Sequence, residues 1–554
     1  MDQLKSILES VIKQLYGLQF EVNFYRPNYE FGDYATNCSF VISEYVKQTP
    51  LEVATAIKQK IDSLDNPIIS RIEVLNNFLN IRLNDQILIE NINQRMNYGL
   101  RNQKIVIEYS DPNPFKMLHA GHLYTSIVGD SIANMFNYVG AKVYRVNFGG
   151  DIGLHVAKNI WSMIRYLGSE NPDKLSSILK NQRQKWMNER YLEGNEAFLN
   201  NPQYKDEIKQ INKRIYKFVL SNDYNSDLAK LFLITREWSY QYLRDFYAKL
   251  NITFDKYYPE SSVTQLGLRT VQEHTPDPYT ESNGAIIFDG QKYNLKTYVY
   301  ITSDGLPTYS AKDVGLMIKK WEDYGFDQSF IITAHDQVDY LKNVLKSIEQ
   351  FRPDLAQKTK HLTNGLVKLS SGQKMSSRSG NALSAEEVLE YAISEEQKIS
   401  KVVDPKIYIS AIKYSFLKQK MGGDIIYNPS EVVAMEGNSG PYIQYSFVRA
   451  KKIVENSPLS EDEKPIFPLD KEERYLVYRI TEFGEILQKS LEGLSTHHIC
   501  TYLYELSQSF NSFYESSPII KSDRKKTRIF ILKEYINVVG YCFKILGLEE
   551  INSM

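Results

Sequence analysis

The sequence has few cysteines, no excess of charge of either sign and no long apolar run. Its three cysteines, Cys38, Cys500 and Cys542, lie far apart without metal-ligand spacing, which argues against a disulfide framework or a structural zinc site and fits a reducing cytoplasm. Lysine and arginine total 66 against 67 aspartates and glutamates, so any contact with nucleic acid has to come from local patches. No run of about eighteen apolar residues occurs, so we expect a soluble protein without a membrane span.

Length and composition predict a multidomain globular protein. At 554 residues the chain should hold about three or four domains, since a domain usually spans about 100 to 200 residues. Apolar residues make up 42% of the chain and charged residues 24%, which is ordinary for a folded protein and unlike a disordered or fibrous one.

The first and last parts of the chain differ in pattern. Residues 1–95 begin with helical periodicity and close on the alternating stretch Arg71 to Leu83, which is typical of a strand, so we predict a small α+β unit. Residues 401–554 are helical almost throughout and predict a separate all-α bundle.

The middle part, residues 96–400, has a βαβ pattern. A predicted strand at Lys104 to Tyr109 is followed by a helix from about His122 to Val139 and by a second strand at Lys142 to Asn147. Such alternation favours a parallel, nucleotide-binding sheet. Between about residues 161 and 250 the composition shifts to a helical pattern rich in Lys, Asn, Tyr and Glu, which we interpret as an insertion.

The segment EYSDPNPFKMLHAGH, residues 108–122, carries the first candidate chemistry. His119 and His122 lie three residues apart at the start of a helix, where the helix N-terminus favours phosphate, and Gly121 leaves room for a nucleotide. Protonated or hydrogen-bonding imidazoles could stabilise the charge that develops on an α-phosphate when a carboxylate attacks it and pyrophosphate leaves. Taken alone, this short pattern is more often structural or incidental.

A second candidate segment, SGQKMSSRSGN at residues 371–381, is a polar loop bounded by glycines. Lys374 supplies a point charge for a phosphate and Arg378 a planar donor fork, and the glycines allow the loop to close over a triphosphate. Taken alone, any flexible basic loop would have the same composition.

Together, in this order and separation, the two segments resemble the HIGH and KMSKS signatures of class I aminoacyl-tRNA synthetases. HIGH stands here as HAGH, and Ser377 replaces the second lysine of KMSKS. Members of the arginyl-tRNA synthetase family often lack that lysine and carry another just before HIGH, where Lys116 stands here. The resemblance to this family covers nearly the whole chain, in the stretches FGDYATN, YSDPN, VNFGGDIG, FDKYYPESS, SDGLPTYSAKD and GNSGPYIQYSFVRA.

The resemblance implies a Rossmann-like catalytic domain, a small α+β N-terminal domain and an all-α anticodon-binding bundle. It also implies activation of L-arginine by ATP and transfer to the 3′ end of tRNA(Arg), with Mg²⁺ carried by the ATP phosphates and no protein metal site. The implied catalytic residues are Lys116, His119, His122, Lys374 and Arg378. The implied ATP-binding residues are His119, Gly121, His122, His335, Lys374, Met375 and Ser376.

An arginine pocket needs carboxylates and planar acceptors, because the N–H donors of the guanidinium would otherwise be buried unpaired. The resemblance implies arginine-binding roles for Glu108, Asn113, Tyr309, Asp313 and Gln337, with Asp336 as the alternative to Gln337. Which of the two carboxylates, Glu108 or Asp313, meets the guanidinium and which the ammonium is left open. His155 departs from the family, in which glutamine is common at this place.

Contacts with tRNA are implied at both ends of the chain. Tyr442, Gln444 and Tyr445 open the predicted anticodon-binding unit, and the chain ends at Met554. Lys525 belongs to a basic cluster that could meet phosphates or could be a solvated helix face; its members are Lys521, Arg524, Lys525, Lys526 and Arg528. The N-terminal unit, with Phe31 to Asn37 as its recognisable part, would touch the corner of the tRNA. We expect a cytoplasmic monomer that binds neither DNA nor a membrane.

Two other functions fit parts of the pattern. The first is a class I synthetase for another amino acid, or a small nucleotidyltransferase that shares the HAGH loop; a cysteinyl enzyme would need a Cys/His cluster, and a small transferase would not need the C-terminal helical unit. The second is a synthetase-like protein that binds tRNA without catalysis. The intact HAGH, Lys374 and the pocket carboxylates argue against it.

Overall fold

The computed structural model describes residues 2–92, 98–370, 383–457 and 465–553. Its N-terminal unit packs helices on a three-stranded antiparallel sheet with the order β1-β3-β2. The elements of this unit are α1 (Asp2–Tyr16), β1 (Tyr34–Thr36), α2 (Cys38–Val46), α3 (Pro50–Asp62), β2 (Ile69–Leu75), β3 (Phe78–Leu83) and α4 (Asp85–Ile92).

The predicted single strand from Arg71 to Leu83 is a hairpin of β2 and β3. The chain turns at Asn76 and Asn77, which have φ values of 49° and 68°. Asparagine tolerates this left-handed region better than most residues, so an Asn-Asn pair permits a tight turn within a strand-like pattern.

The middle unit is built on a five-stranded parallel sheet with the order β11-β10-β4-β5-β6. Its elements up to the third sheet strand are β4 (Lys104–Tyr109), α5 (Ala120–Tyr138), β5 (Lys142–Gly149), α6 (Leu154–Leu167), α7 (Arg183–Asn200), α8 (Pro202–Ser221), α9 (Asp227–Lys249) and β6 (Lys256–Pro259). The remaining elements are α10 (Glu260–Glu273), β7 (Tyr279–Ser282), β8 (Ala285–Phe288), β9 (Tyr298–Ile301), α11 (Tyr309–Tyr324), β10 (Gln328–Ala334), α12 (Val338–Glu349), α13 (Pro353–Lys358), β11 (Thr359–Asn364), β12 (Val367–Leu369) and α14 (Ala385–Ile399).

The predicted βαβ unit is confirmed. Strand β4 has the predicted bounds, and its residues after Lys104 are buried, as expected of a strand covered on both faces. Helix α5 starts two residues earlier than predicted because His119 acts as its N-cap. Apolar side chains of α5 that include Leu123, Ile127 and Phe136 are buried and form the predicted stripe.

The C-terminal unit is helical except for one short strand. Its elements are α15 (Pro405–Leu417), β13 (Ile425–Tyr427), α16 (Pro429–Val432), α17 (Gly440–Glu455), α18 (Lys471–Thr481), α19 (Phe483–Glu492), α20 (His497–Ser516) and α21 (Lys525–Leu546). Strand β13 pairs in parallel with β12 and so connects this unit to the middle unit.

A buried arginine joins the first and last units. Two guanidinium nitrogens of Arg474, on α18, donate to Asp33 over 2.9 and 2.7 Å, and its Nε donates to Asp85 over 2.8 Å. The backbone N–H of Leu83 also donates to Asp33. Asp33, which is the aspartate of FGDYATN, therefore holds the C-terminal unit against the N-terminal sheet.

Candidate active site

In the parallel sheet, the chain adds β5 and β6 on one side of β4 and later adds β10 and β11 on the other side. The strand order therefore has its switch point between β4 and β10. In open α/β sheets, ligands bind in the crevice at the carboxyl ends of the strands that flank this switch point. Here β4 leads into the loop that ends at His119, and β10 leads into the 3₁₀ turn His335–Gln337. The HAGH segment and the turn that carries His335 therefore lie at one crevice.

The loop after β4 has an unusual backbone. Ser110, Asp111 and Phe115 adopt φ values of 74°, 42° and 71°. Residues other than glycine cost of order 1–3 kcal/mol in such sparsely populated conformations, and such strain clusters at functional sites. Surrounding contacts hold the loop: the N–H of Phe148 donates to Asp111 and the N–H of Phe115 donates to Ser239.

His119 and His122 lie face to face at the start of α5, with ring centroids 3.7 Å apart. The Nδ1 atom of His119 accepts from the N–H of Gly121 at 3.1 Å, and that of His122 accepts from the N–H of His119 at 3.3 Å. With Nδ1 as an acceptor, each neutral ring carries its proton on Nε2. The geometry thus gives two N–H donors on stacked rings.

Both imidazoles are held in the neutral form. Burial lowers the pKa of His119, and the charge of Lys116 lowers it further. Burial also lowers the pKa of His122 well below its usual value, with His119 and Lys116 as further causes. Of the two alternatives from the sequence, protonated or hydrogen-bonding imidazoles, the structure favours hydrogen-bonding ones.

Lys116 lies close to this pair, since its charge depresses both imidazole pKa values. Its ammonium lies 4.6 Å from the centre of the Tyr191 ring, on α7, within the range of a cation–π interaction. Sequence patterns did not single out Tyr191. An aromatic residue within a helical pattern is ordinarily core, and only the packing of α7 on the loop after β4 brings it to Lys116.

Four predicted residues, Lys374, Met375, Ser376 and Arg378, lie outside the described residues. The chain that follows them is described, and it pairs with the HAGH segment. The N–H of Ala120 donates to Leu383 and the N–H of Ala385 donates to Leu118, over 2.8 and 2.9 Å. The chain directly after the predicted phosphate loop is therefore attached beside the two histidines.

The two predicted pocket carboxylates have different partners. Glu108 is buried and accepts a hydrogen bond from the ammonium of Lys320, on α11. Asp313, on the same helix, accepts a hydrogen bond from the neutral hydroxyl of Tyr340. Burial, with Glu108 and Glu260 nearby, raises the pKa of Asp313 to about 7. Glu108 therefore has a cationic partner, whereas Asp313 has the electrostatics of a carboxyl that needs one.

Tyr309 and Asn113 lie around the GDIG turn that follows β5. The hydroxyl of Tyr309 is 3.5 Å from Nδ1 of His155, whose Nε2 donates to the carbonyl of Gly150 over 2.6 Å. Burial lowers the pKa of His155 to about 3, so the ring stays neutral and Nδ1 remains an acceptor. A Cβ on Gly150 would lie 2.4 Å from the Asn113 amide oxygen, so glycine is required there. The structure therefore makes His155 a link between Tyr309 and the Gly150 turn, against which Asn113 packs.

Asp151 and Glu260, which belong to the GDIG and YYPESS stretches, hold this turn against its neighbours. Asp151 is fully buried and accepts from the N–H and hydroxyl of Ser261 and from Arg236. Glu260 accepts from the buried ammonium of Lys312, and burial raises its pKa to about 7. Both motifs are recognisable in the sequence, but the sequence alone assigned these two residues no role.

The remaining predicted nucleotide and arginine contacts lie on the turn after β10. His335, Asp336 and Gln337 are exposed there. The charge of Asp336 acts on the pKa of His119, so the turn lies beside the histidine pair. His335 similarly acts on the pKa of His361 in β11.

The predicted RNA-contacting residues near α17 differ in exposure. Tyr445 is 36% exposed, and its ring lies 4.6 Å from the guanidinium of Arg449, which also lies 4.9 Å from the ring of Tyr514. Tyr442 is half-buried and its hydroxyl accepts from Asn511. Gln444 is fully buried, and its amide donates to the carbonyls of two other segments. The prediction for Gln444 therefore needs correction, because it stabilises the fold and is not available to RNA.

The basic cluster before α21 is partly used by the fold. Arg524 and Arg528 both donate to Glu473, which is fully buried. Both guanidiniums are therefore paired within the fold, which fits neither of the two alternatives for this cluster, a phosphate contact or a solvated helix face. Lys525 is half-buried at the start of α21. Met554 lies outside the described residues.

Neither a metal-ligand cluster nor a membrane span occurs among the described residues. They hold no group of three or more His, Cys, Asp or Glu side chains that could bind a metal ion. None of the helices in the described part of the chain is both long and apolar enough to cross a membrane.

Comparison with known families assigns all three units. Residues 84–428 match the family described as tRNA synthetases class I (R), catalytic domain. Residues 443–554 match the DALR anticodon binding domain, and residues 2–83 match the arginyl tRNA synthetase N-terminal domain.

Individual proteins agree with this assignment. The chain is 27% identical to the arginine–tRNA ligase of Clostridium kluyveri, with 100% of both chains covered. It is 28% identical to that of Borrelia garinii subsp. bavariensis, with 95% of this chain and 94% of the relative covered.

Solved structures share the fold. The arginyl-tRNA synthetase of Thermus thermophilus superposes with a TM-score of 0.79 at 21% identity, with 100% of both chains covered. That of Plasmodium falciparum gives 0.78 at 20% identity, with 100% of this chain and 99% of the other covered. Since the catalytic family alone matches more than half of the sequence, this chain belongs to the arginyl-tRNA synthetases, the class I enzymes that use ATP to charge tRNA(Arg) with arginine.

Proposed function

We propose that adenylate formation in this enzyme rests on the two neutral imidazoles at the start of α5. The arginine carboxylate attacks the α-phosphorus of ATP, the bond to the β-phosphate oxygen breaks, and pyrophosphate leaves. The Nε2–H donors of His119 and His122, with the N-terminus of α5, stabilise the charge on the α-phosphate during this step. The observation that carries the proposal is that both Nδ1 atoms accept from backbone N–H groups, which leaves Nε2–H as the donor of each ring.

Cationic side chains complete the phosphate site. Lys116 supplies a fixed positive charge beside the histidines. Lys374 and Arg378 bind the β- and γ-phosphates, and Met375 and Ser376 line the adenosine side together with Gly121 and His335. The attachment of Leu383 and Ala385 to the HAGH segment supports this arrangement, because these residues directly follow the loop in the chain.

Asp313 is the partner of the substrate guanidinium in this proposal. Its raised pKa means that ionisation inside the protein is unfavourable without a cation, and the guanidinium supplies one. Glu108 already binds Lys320, so it acts on the substrate indirectly, through the field it adds around Asp313. Tyr309 and Asn113 orient the substrate, and Gln337 contacts it from the turn after β10.

Mg²⁺ enters with the nucleotide in this proposal. Such an ion would be held mainly by oxygens of the ATP phosphates. Such an ion neutralises charge on the β- and γ-phosphates.

In the second step, a hydroxyl of the terminal tRNA ribose attacks the carbonyl carbon of arginyl-adenylate and AMP leaves. Tyr442, Tyr445 and Lys525, with Met554 at the chain end, contact the tRNA. The exposed Tyr445 ring and its neighbour Arg449 support this role, because bases of single-stranded RNA stack on aromatic and guanidinium planes. We further propose that the enzyme works as a cytoplasmic monomer and that activation itself requires bound tRNA.

The test is tRNA charging with each amino acid separately, together with pyrophosphate exchange with and without tRNA. Arginine alone should be esterified, and exchange should need tRNA. Charging with a different amino acid would overturn the pocket assignment.

The pocket itself is tested by Asp313→Asn, which keeps the shape and removes the charge. We expect the KM for arginine to rise about 30-fold or more while the KM for ATP stays within twofold, since removing one partner of a desolvated charge pair costs about 2–5 kcal/mol. The matched control is Asp339→Asn, because Asp339 forms an exposed ion pair with Lys296. An unchanged arginine KM in Asp313→Asn would exclude this guanidinium partner.

A further inference from the structure

A cavity of about 390 Å³ lies where the edge strand β11 of the catalytic sheet meets the C-terminal unit. Its walls come from β11, from the turn after α15 and from the turn between α19 and α20. Of its ten lining residues, four are basic and none is an aspartate or a glutamate; the basic ones are His361, Lys420, His497 and His498. The cavity is therefore suited to an anion.

The charged groups that act on the two imidazoles of α20, His497 and His498, are also basic. The pKa of His498 falls to about 4, with burial as the largest cause, followed by His497, Lys489 and Lys420. Burial, Lys420 and Lys489 likewise lower the pKa of His497.

The third imidazole, in β11, has a similar environment. Burial lowers the pKa of His361 to about 4, and His335 and Lys342 lower it further. Asp424, in the turn after α15, binds Lys368 and the N–H of Leu366. Within the described part of the chain, every charged group that acts on the three imidazoles is a cation or another imidazole.

The histidines keep ring nitrogens available to a ligand. One nitrogen of His361 lies 2.8 Å from the hydroxyl of Thr333, and Nδ1 of His497 lies 2.6 Å from the hydroxyl of Ser495. The rings of His497 and His498 are 3.9 Å apart. Each of the bonded rings therefore has its other nitrogen for an oxyanion.

We propose that this cavity binds phosphodiester groups of the tRNA backbone. The inference rests on the proposed function, in which one tRNA reaches from the crevice at the switch point to the surface of the C-terminal unit that carries Tyr445, Arg449 and Tyr514. A ligand of that extent has to cross the junction between the two units, and the cavity lies at this junction. Strand β11 and β12 lead directly to the segment that carries Lys374, and α20 carries Tyr514 of that surface.

The cavity also makes binding depend on pH. A phosphate within hydrogen-bonding distance stabilises protonated imidazoles and so raises their pKa values towards or above the ordinary range. Binding of tRNA then takes up protons, and affinity rises as the pH falls from about 7.5 to 6. Lys420 adds an ammonium group to the same site.

The experiment measures the Kd of a tRNA(Arg) transcript by filter binding, between about 50 and 200 mM salt and at about pH 6 and 7.5. The variants are Lys420→Gln, whose side chain is exposed, and Lys420→Gln with His498→Gln. We expect the double variant to bind about tenfold more weakly at pH 6 and to lose most of the pH dependence. The slope of log K against log salt should fall by about one for each phosphate that the variant no longer neutralises. KM values for arginine and ATP, measured at saturating tRNA, should stay within twofold.

The matched control is Lys292→Gln, an exposed lysine between β8 and β9, and its Kd should stay within twofold of the wild type. An unchanged Kd and salt slope in variants that still charge tRNA with arginine would overturn the phosphate site and leave the proposed function standing. Failure of the wild type to charge tRNA with arginine would instead overturn the proposed function.

Free polyphosphate is the other source of the same chemistry. Pyrophosphate is therefore titrated into the wild type while the imidazole C2 proton resonances are followed. One outcome is that pyrophosphate shifts the resonances of the cavity histidines, does not compete with tRNA, and binds the variants with losses of affinity unlike those of tRNA. In that case the site belongs to free polyphosphate and the tRNA proposal is wrong. Lys420→Gln alone, with an unchanged circular dichroism spectrum, keeps the test valid if the double variant does not fold.

Discussion

The FGDYATN and HAGH segments are both recognisable in the sequence, but their polar side chains differ in how far they are used in hydrogen bonds within the fold. In the first, Asp33 is fully buried and accepts from Arg474 and from the N–H of Leu83, so its carboxylate is used within the fold. In the second, His119 and His122 use only Nδ1, and no hydrogen bond to either Nε2 occurs among the described residues. A motif marks an important residue, but its partners decide whether it serves the fold or a ligand.

The largest effect should follow from breaking the Asp33 clamp. Asp33→Ala leaves the buried guanidinium of Arg474 without its main partner, so we expect the free energy of unfolding to fall by about 3–5 kcal/mol, measured by urea denaturation. At urea concentrations below the unfolding transition, the kcat of tRNA charging should change little. The control is Asp62→Ala, whose exposed ion pair with Lys58 should contribute no more than about 1 kcal/mol.

The reverse behaviour is expected of HAGH. His122→Ala removes one of the paired donors, so the kcat of charging should fall about 100- to 1000-fold, while the urea midpoint should move little. Steady-state charging at saturating arginine, ATP and tRNA measures the first quantity. His274→Ala removes an imidazole that packs on Phe351, far along the chain from this segment, and should leave kcat within twofold. A large loss of stability in His122→Ala would show that HAGH serves the fold as Asp33 does.

A titration sharpens the comparison in the arginine pocket. The pKa of Asp313 in the free enzyme is about 7, raised by burial above its ordinary value, and arginine binds its ionised form. The value of kcat/KM for arginine should therefore be constant above about pH 7 and fall about tenfold for each pH unit below it. The imidazoles of HAGH, with their lowered pKa values, should contribute no step in this range.

The corresponding control is Asp313→Asn measured at saturating tRNA over the same pH range. Its kcat/KM should be low and should lack the step near pH 7. A step of wild-type size in this variant would assign the titration to another group, of which Glu260 is the first candidate because burial raises its pKa to about 7 as well.

The smallest effect is expected at Tyr191. Tyr191→Leu removes the ring under Lys116, and because a cation–π contact at a partly exposed site contributes about 0.5–1 kcal/mol, kcat should fall about two- to fivefold with little change in the KM for arginine. Tyr191→Phe keeps the ring and should restore kcat. In a Lys116→Met background, Tyr191→Leu should have no further effect; an additive loss would mean that Tyr191 acts on packing alone.

Much of the fold could be predicted from periodicity. The bounds of β4 and the buried stripe of α5 follow from local patterns, because a strand covered on both faces and an amphipathic helix each impose a repeat on their own residues. The hairpin turn at Asn76 and Asn77 interrupts no such repeat, which is why one long strand was predicted there.

Partners across the chain could not be predicted in the same way. Glutamine and arginine are residue types that often contact RNA. Here, however, the Gln444 amide donates to the carbonyls of Lys406 and Glu549, and the Arg528 guanidinium donates to Glu473. Lys320 looks like a surface lysine on α11, but the packing of this helix on β4 brings it to Glu108. These contacts join residues far apart in the chain, and no local pattern encodes them.

By itself, the sequence determined the family and the fold class and indicated the segments proposed for phosphate chemistry, because strand, loop and helix signals and the residues in their loops are local properties. Only the tertiary structure decided which polar groups remain available. It gave Glu108 a lysine and left Asp313 with a neutral partner, and it turned both HAGH imidazoles into N–H donors. The physical reason is that burial and charge partners set protonation and hydrogen bonding, and both depend on which distant segments pack together.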